Sequence, residues 1–303
     1  LPARPQPQDL AMQLLPALTR DPKVVAREAP AGRHLPYARH VDDHTVETRD
    51  GMLLQVVHLR GLLFETADTE ELNYRKRLRD AMLQSIGSSR FAVYYHVVRR
   101  AIEPELEAAF PDAFSARLDA AWRARLAERR LYTNDLFLTL IRRPLQGRMG
   151  LLDRLRGSPA AANSAHDLRA LDTAREALTA ALGSYEPRLL SVYATPQGNC
   201  SEPLEFLSSL YNGEVRPVLL PMQDAGAYLP YRRISFGQEA IELGAAGPSP
   251  RTFAAIVSIK DYPGQSAPGM LDELLRLPFE ITIAQSFGFV ERRALDAAER
   301  EIC

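Results

Sequence analysis

The sequence predicts an α+β fold: mixed, largely antiparallel sheets with flanking helices, laid out as one body or as two α/β subdomains. Three observations predict it. An Asp-Gly pair at Asp50-Gly51 sits between two strand-like runs. Strand, strand, helix and strand patterns then follow in close succession, an order that suits a mixed sheet with helices on a face. The apolar content of 46% is that of a chain with a real core.

Composition bounds the rest. A length of 303 residues fits one large domain or two ordinary ones. The net charge of -1 excludes a chain-wide attraction to nucleic acid or acidic lipid and leaves room for a local basic patch. The basic residues are nearly all arginine, with lysine only at Lys23, Lys76 and Lys260. Cys200 and Cys303 are the only cysteines, so there is no disulfide framework and a reducing cytoplasm is expected. No apolar run approaches the roughly 20 residues of a membrane span. The best of them, Phe91 to Val98, is far shorter. The chain begins at Leu1 and not at a methionine, which leaves open a segment upstream, a membrane-spanning one included.

Residues 1–36 carry Pro2, Pro5, Pro7, Pro16, Pro22, Pro30 and Pro36. Proline removes amide donors and breaks helices, so this reads as an extended arm with one short helix near Asp9–Leu15. From His44 the pattern changes. Val46 and Thr48 lead into Arg49-Asp50-Gly51, and Met52 to Leu59 follow as a second apolar strand. Glycine accepts the positive φ of a tight turn, so a hairpin is expected here. Asp68-Thr69-Glu70-Glu71 is a capping arrangement that opens a helix, and Gly87 stops it. Arg90–Arg100 reads as a strand. Ser115–Arg130 reads as a helix with Leu118, Ala121/Trp122 and Leu126 on one face. Asp135–Ile141 is a compact strand.

Gly147–Gly157 is basic and glycine-punctuated, and Ser158–Ser164 has the composition of a flexible insertion. Leu168–Leu182 is an alanine-rich helix and Leu189–Tyr193 a strand. Ser201 caps a helix that runs to Leu210 and ends at Asn212-Gly213. Strands are expected at Arg233–Phe236, Ala240–Leu243, Thr252–Lys260 and Phe279–Ser286, with a helix at Met270–Leu277. A charged helix from Val290 to Glu301 is expected to lead into further chain. The organisation expected is an arm at 1–36, a first α/β subdomain at 37–157, an insertion at 158–166, a second subdomain at 167–289 and a connecting helix at 290–303. No repeat of fixed period is present.

Several groups of residues are candidates for chemistry. His40–Gly51 (HVDDHTVETRDG) packs two histidines and four carboxylates into twelve residues. On a helix His40 and His44 would share a face and grip one ion. The β-branched Val41, Thr45, Val46 and Thr48 favour a strand instead, where alternate residues lie roughly 6.6 Å apart and a metal needs help from another element. His40 and His44 are therefore weak metal candidates, and a polar lead-in to a hairpin is the better reading. Cys200 precedes a helix start, where a thiol pKa can fall, but no histidine is near it in sequence. There is no G-x-S-x-G elbow. Paired acids such as Glu70/Glu71 and Asp42/Asp43 fit solvated faces. No Gly-Lys dipeptide occurs, so the sequence has no P-loop to cradle a triphosphate, and G-x-G-x-x-G is absent too. Arg142, Arg143, Arg148, Arg154 and Arg156, with Arg232 and Arg233 beside Tyr231, are weak candidates for gripping single-stranded nucleic acid. No recognition motif accompanies them, and a partner-docking or solvated face is preferred.

Several long segments resemble one family. His40–Gly51 (HVDDHTVETRDG), Phe64–Arg75 (FETADTEELNYR), Ser88–Arg100 (SSRFAVYYHVVRR), Phe206–Gly213 (FLSSLYNG), Ile234–Glu242 (ISFGQEAIE) and Phe279–Val290 (FEITIAQSFGFV) look like the CagE/TrbE/VirB family. These are the energising ATPases of bacterial type IV secretion and conjugation machines, and the resemblance runs in order from about His34 onward. It implies that this chain corresponds to the N-terminal α/β region, with a RecA-like domain carrying the P-loop beyond it. ATP and magnesium would belong to that domain, so no cofactor is expected here and this fragment is expected to hydrolyse no ATP. None of the family's nucleotide-contacting motifs maps onto a residue of this chain. The partners implied are other subunits and ATPases of the inner-membrane complex, with self-association, a peripheral membrane contact made through partners, and nucleic acid as a further contact. The location implied is the cytoplasmic face of the bacterial inner membrane. The function this suggests is assembly and docking, coupling the ATPase domain to channel subunits for DNA or protein transfer or pilus biogenesis. A single-strand nucleic-acid module and a metal- or cysteine-dependent enzyme stand as the alternatives.

Overall fold

The computed structural model describes residues 30–61, 68–102, 110, 112–128, 130–144, 160–222, 224–244, 251–259, 264–265 and 272–289. The arm before residue 30, the arginines Arg148, Arg154 and Arg156, and the expected helix from Val290 lie outside the described residues.

The organising strand is β3 (Leu53–Leu59), nearly all of it buried. Its run of Leu, Val and His supplies apolar side chains to both faces, as expected of a strand covered on each side. Along one edge it pairs over its whole length with β5 (Leu131–Arg142), Leu53 opposite Arg142 and Leu59 opposite Leu136. The other edge is shared. β2 (Thr45–Thr48) takes Leu53 to Gln55, and β6 (Pro187–Leu189) takes Val57 to Leu59. Outside β2 lies β1 (Tyr37–His40), and outside β5 come β4 (Phe91–Ile102) and then β12 (Ile281–Gly288). Every pairing among the described residues is antiparallel. The Asp-Gly hairpin between β2 and β3 is present, with Gly51 at φ 81, as the turn requires.

Two layers of helix cover this sheet. On one face lie α1 (Thr69–Ile86) and α3 (Ala160–Ala181), which bury Met82, Ile86, Leu171 and Leu178 against Leu53, Val57, Val93, Leu138 and Leu140. On the other lies α4 (Glu202–Asn212), whose Leu204, Phe206 and Leu207 pack on Val46, Leu54 and Val56. Side chains alternate along β3, so Leu53 and Val57 serve the first layer while Leu54 and Val56 serve the second. Each such fully buried leucine or valine contributes about 1.5–3 kcal/mol.

The helix ends follow the sequence. Asp68 accepts the Glu71 amide at 2.8 Å to start α1. Asp112 accepts the Phe114 and Ser115 amides at 3.0 and 2.8 Å to start α2 (Ala113–Ala127). Ser201 accepts the Leu204 amide at 3.1 Å to start α4, and Gly213 closes it at φ 71.

Five expectations are corrected. The flexible insertion expected across 158–166 is helical from Ala160, because Ala160, Ala161 and Ala162 are strong helix formers that extend α3 toward its N-terminus. The strand expected at Leu189–Tyr193 is broken into β6 and β7 (Val192–Thr195), the latter forming its own hairpin with β8 (Gly198–Ser201). The helix expected at Met270–Leu277 is a short 3-10 turn, Asp272–Arg276. Of the strand expected at Thr252–Lys260, the described residues make ladder bonds only in β11 (Thr252–Ala254), to β10 (Ile241–Leu243), which pairs in turn with β9 (Ile234–Phe236); Lys260 lies outside the described residues. The division expected at 158–166 also runs through the large sheet, since β6 and β12 come from beyond it.

Candidate functional site

The loop from His40 to Thr45 joins β1 to β2 and is shaped by Asp42. One Asp42 oxygen accepts the amides of His44 and Thr45 at 2.8 and 2.7 Å, and the other accepts the Thr45 hydroxyl at 3.0 Å. This is an Asx-type turn that ties the carboxylate to local backbone. His40 Nδ1 donates to the Asp42 carbonyl at 2.9 Å, which leaves Nε2 to accept the Ser201 hydroxyl at 2.8 Å. His44 Nδ1 donates to the Leu190 carbonyl at 3.1 Å, and the Asp43 carbonyl accepts the Val192 amide at 2.8 Å. The turn thus clasps the sheet edge to β7 and α4. Burial pushes the His40 imidazole below the usual histidine range, against the opposing pull of Asp42 and Asp43. Among the described residues no three metal-ligating side chains are grouped closely enough to hold an ion. His40 and His44 point their ring nitrogens at protein partners and not at each other.

The arginines are equally committed. Arg142 is buried, its guanidinium 4.6 Å over the Phe91 ring and 3.3 Å from Asp167. Arg90 holds the same carboxylate at 2.6 and 2.8 Å, and Arg143 donates to the Ser89 carbonyl at 3.2 Å. Arg232 is buried and donates to the carbonyls of Asn212, Leu243 and Gly244 at 2.9, 3.0 and 3.2 Å, joining the C-terminus of α4 to the three-stranded sheet. Arg233 is half-buried beside it. Arg142 and Arg232 are therefore not free to meet phosphates, which corrects their candidacy as nucleic-acid contacts. Their spacing looked like a surface patch because sequence alone does not reveal that a cation is enclosed. Cys200 is buried, with the Thr195 hydroxyl 4.0 Å from its sulfur.

A cleft of about 300 Å³ opens between α4 and the sheet, lined by His58, Arg100, Asp135, Phe137, Arg188 and Glu202 among others. Its floor is the stacked pair Phe137 and Phe206, 4.3 Å between ring centres. Its rim is a set of closed ion pairs. Arg100 lies 2.5 Å from Asp135, with His58 at 3.9 Å, and Arg188 meets both Glu202 oxygens at 2.8 and 2.7 Å. His58 and Arg100 together hold the Asp135 carboxyl below its usual range. Each cation here already has a carboxylate, so the residues present do not fit a nucleotide triphosphate. The Ser201 hydroxyl that meets the His40 imidazole is buried and already caps α4, so it is not open to a substrate.

The unusual surface lies elsewhere. Helix α2 buries no side chain. Phe114, Leu118 and Trp122, four residues apart and hence on one helix face, are 70%, 62% and 57% exposed. Leu118 and Trp122 were legible in the sequence as one face, with Ala121 and Leu126, while Phe114 was not; that the face points outward was not legible either, since a stripe of this kind normally marks a core-facing side. An exposed stripe of large apolar residues is the usual mark of an interaction surface.

The chain is similar to known proteins along most of its length. Residues 44–149 match the N-terminal domain of the type IV secretion system ATPase VirB4/TrbE. Residues 188–297 match the CagE, TrbE, VirB family, described as a component of the type IV transporter system. The type IV secretion system protein VirB4 of Bartonella quintana is 32% identical over 277 residues, 89% of this chain and 35% of the relative. The VirB4 protein of Agrobacterium fabrum is 32% identical over 264 residues, 86% of this chain and 33% of the relative. The type IV secretion system protein PtlC of Bordetella pertussis is 28% identical over 286 residues, 92% of this chain and 34% of the relative. The chain spans about a third of the length of these curated relatives.

Proposed function

This chain belongs to the CagE/TrbE/VirB family of type IV secretion components, and from that premise we propose that it is the assembly and docking part of a secretion ATPase. In this reading a RecA-like domain elsewhere in such a protein binds ATP with magnesium and changes shape as the nucleotide turns over. The sheet described above passes that displacement to channel subunits at the cytoplasmic face of the inner membrane. No residue described here is assigned a part in the hydrolysis.

The observation that carries the reading is the outward apolar face of α2. A helix with Phe114, Leu118 and Trp122 in water is costly to leave uncovered, and coverage by a partner removes that cost. Two features support a transmitting role. The sheet has helices on both faces, so it resists shear. The clasp from His40 to Ser201 and the Arg49–Asp224 pair tie its edge to the surrounding turns. No described helix is long and apolar enough to cross a membrane, so contact with the bilayer would be made through partners.

A photo-crosslinking amino acid at Leu118, in cells that assemble the secretion machine, tests this. The expected product joins this protein to an integral inner-membrane subunit of that machine, identified by mass spectrometry. Crosslinks to DNA alone, or to no machine component, would overturn the docking reading.

A further inference from the structure

The two ends of the large sheet are built differently. β1 closes one end. It is four residues long, its register against β2 shifts between Tyr37 and Arg39, and Arg39 is paired with Glu47. Brevity, irregularity and charge are the usual devices that keep a free edge from templating another strand. β12 closes the other end and has none of them. It runs unbroken for eight residues, from Ile281 opposite Arg99 to Gly288 opposite Ala92, with no charge and no proline. Beyond it the sheet has no further strand among the described residues. Thr282, Ala284 and Ser286 are exposed on one face, and Ile281, Ile283 and Gln285 alternate with them as half-buried residues. Phe287 is 40% exposed.

The residues of this edge are complementary to themselves. A twofold axis through Ala284, normal to the sheet, sets a second copy of β12 antiparallel to the first and continues each face as the same face. Ala284 then lies opposite its own counterpart. Thr282 lies opposite Ser286 of the second copy and Ile281 opposite its Phe287, and the symmetry makes each pair twice. Hydroxyl pairs and aromatic–β-branched pairs are among those that stabilise neighbouring strands. The charge next to the strand, Glu280, accepts the Ala101 amide at 2.9 Å and in this register faces Gly288 of the second copy, so no like charges meet. A charged partner strand would find no counter-charge along these eight residues.

We infer that the free edge of β12 takes a second copy of this chain, joining two seven-stranded sheets into one across a twofold axis at Ala284. The pairing satisfies the outer amides and carbonyls of β12 and gives Phe287 an apolar neighbour. It goes beyond the docking reading and uses a surface other than α2, so crosslinking from α2 and pairing through β12 can fail separately.

The test uses the 303-residue chain. Sedimentation equilibrium across a range of concentrations is expected to show monomer and dimer in exchange. Ala284→Lys sets two ammonium groups face to face at the axis and should weaken the dimer about tenfold or more. Far-UV circular dichroism should stay unchanged, because Ala284 is exposed in the single chain. Cysteines report the register. Ala284→Cys should join to its own counterpart on mild oxidation, since opposed Cβ atoms lie roughly 4.5–5.5 Å apart. Thr282→Cys and Ser286→Cys should join to each other when the two variants are mixed and hardly at all when each is alone, with the linked peptides identified by mass spectrometry. A chain that stays monomeric throughout, a dimer that Ala284→Lys leaves intact, or disulfides that favour another register would overturn the proposal.

Discussion

The imidazole of His40 and the hydroxyl of Ser201 meet at 2.8 Å, 161 residues apart in sequence, and the same hydroxyl caps α4 by accepting the Leu204 amide. One oxygen thus starts a helix and fastens the first hairpin to it. Ser201→Ala removes the cap and leaves the half-buried His40 without its Nε2 partner, and is expected to cost about 1–2 kcal/mol of stability. His40→Ala should cost less, since Ser201 keeps its cap. Urea unfolding of the two single variants and the double one measures their coupling. Additive losses would mean the contact is incidental.

Acid should weaken the fold through two imidazoles. Burial pushes both His40 and His96 below the usual histidine range. His96 lies against Phe206, ring centres 5.3 Å apart, and its Nδ1 is buried with no hydrogen-bond partner. A folded-state pKa below the unfolded value of about 6.5 means the unfolded chain takes up protons first as pH falls. Stability contributed by the neutral rings is therefore complete above about pH 6.5 and drains away below it, toward the depressed folded values. Urea midpoints measured at about pH 7.5 and about pH 5.5 should fall in the native chain and fall less in His96→Phe. An equal fall in both would exclude His96 as a contributor.

How much of this could be seen in the sequence depends on the range of the interaction. The hairpin at Asp50-Gly51, the cap at Asp68 and the helix from Ser201 to Gly213 rest on neighbours in the chain, and each appears where the sequence put it. The pairing of β12 with β4, and of β6 with the free half of β3, joins segments far apart and leaves no local periodicity to read. That is why the chain seemed divisible near 158–166. Enclosure was also invisible. Arg142 and Arg232 have the composition of a basic patch and the environment of a core, while Phe114, Leu118 and Trp122 have the spacing of a core face and the environment of a surface.

Asp167 shows what that enclosure costs. Its carboxylate lies between Arg90 and Arg142, whose side chains are only 21% and 8% exposed. Asp167→Ala leaves two partly buried guanidiniums facing each other, so a loss of about 3 kcal/mol or more is expected. Asp167→Asn keeps the shape and some hydrogen bonding and should lose less. Arg90→Met and Arg142→Met combined with Asp167→Leu test the alternative that the cluster serves orientation more than stability, and near-native unfolding of that triple variant would favour it. Thermal unfolding of the four proteins distinguishes these outcomes.

The outward face of α2 makes the opposite prediction, a variant harmless to folding and harmful to assembly. Leu118→Glu and Trp122→Glu remove exposed apolar surface, so stability should stay within about 0.5 kcal/mol of the native chain. If the stripe is covered in the assembled machine, each introduced carboxylate must be desolvated there without a partner, a penalty of about 1–3 kcal/mol or more per site. Co-purification of the protein with detergent-solubilised inner-membrane subunits should then fall by about tenfold or more for either variant, while Lys76→Glu on the exposed side of α1 leaves it unchanged. Retention of both α2 variants at the native level would show that this face stays in water in the working complex, and the docking surface would have to be sought on another part of the molecule.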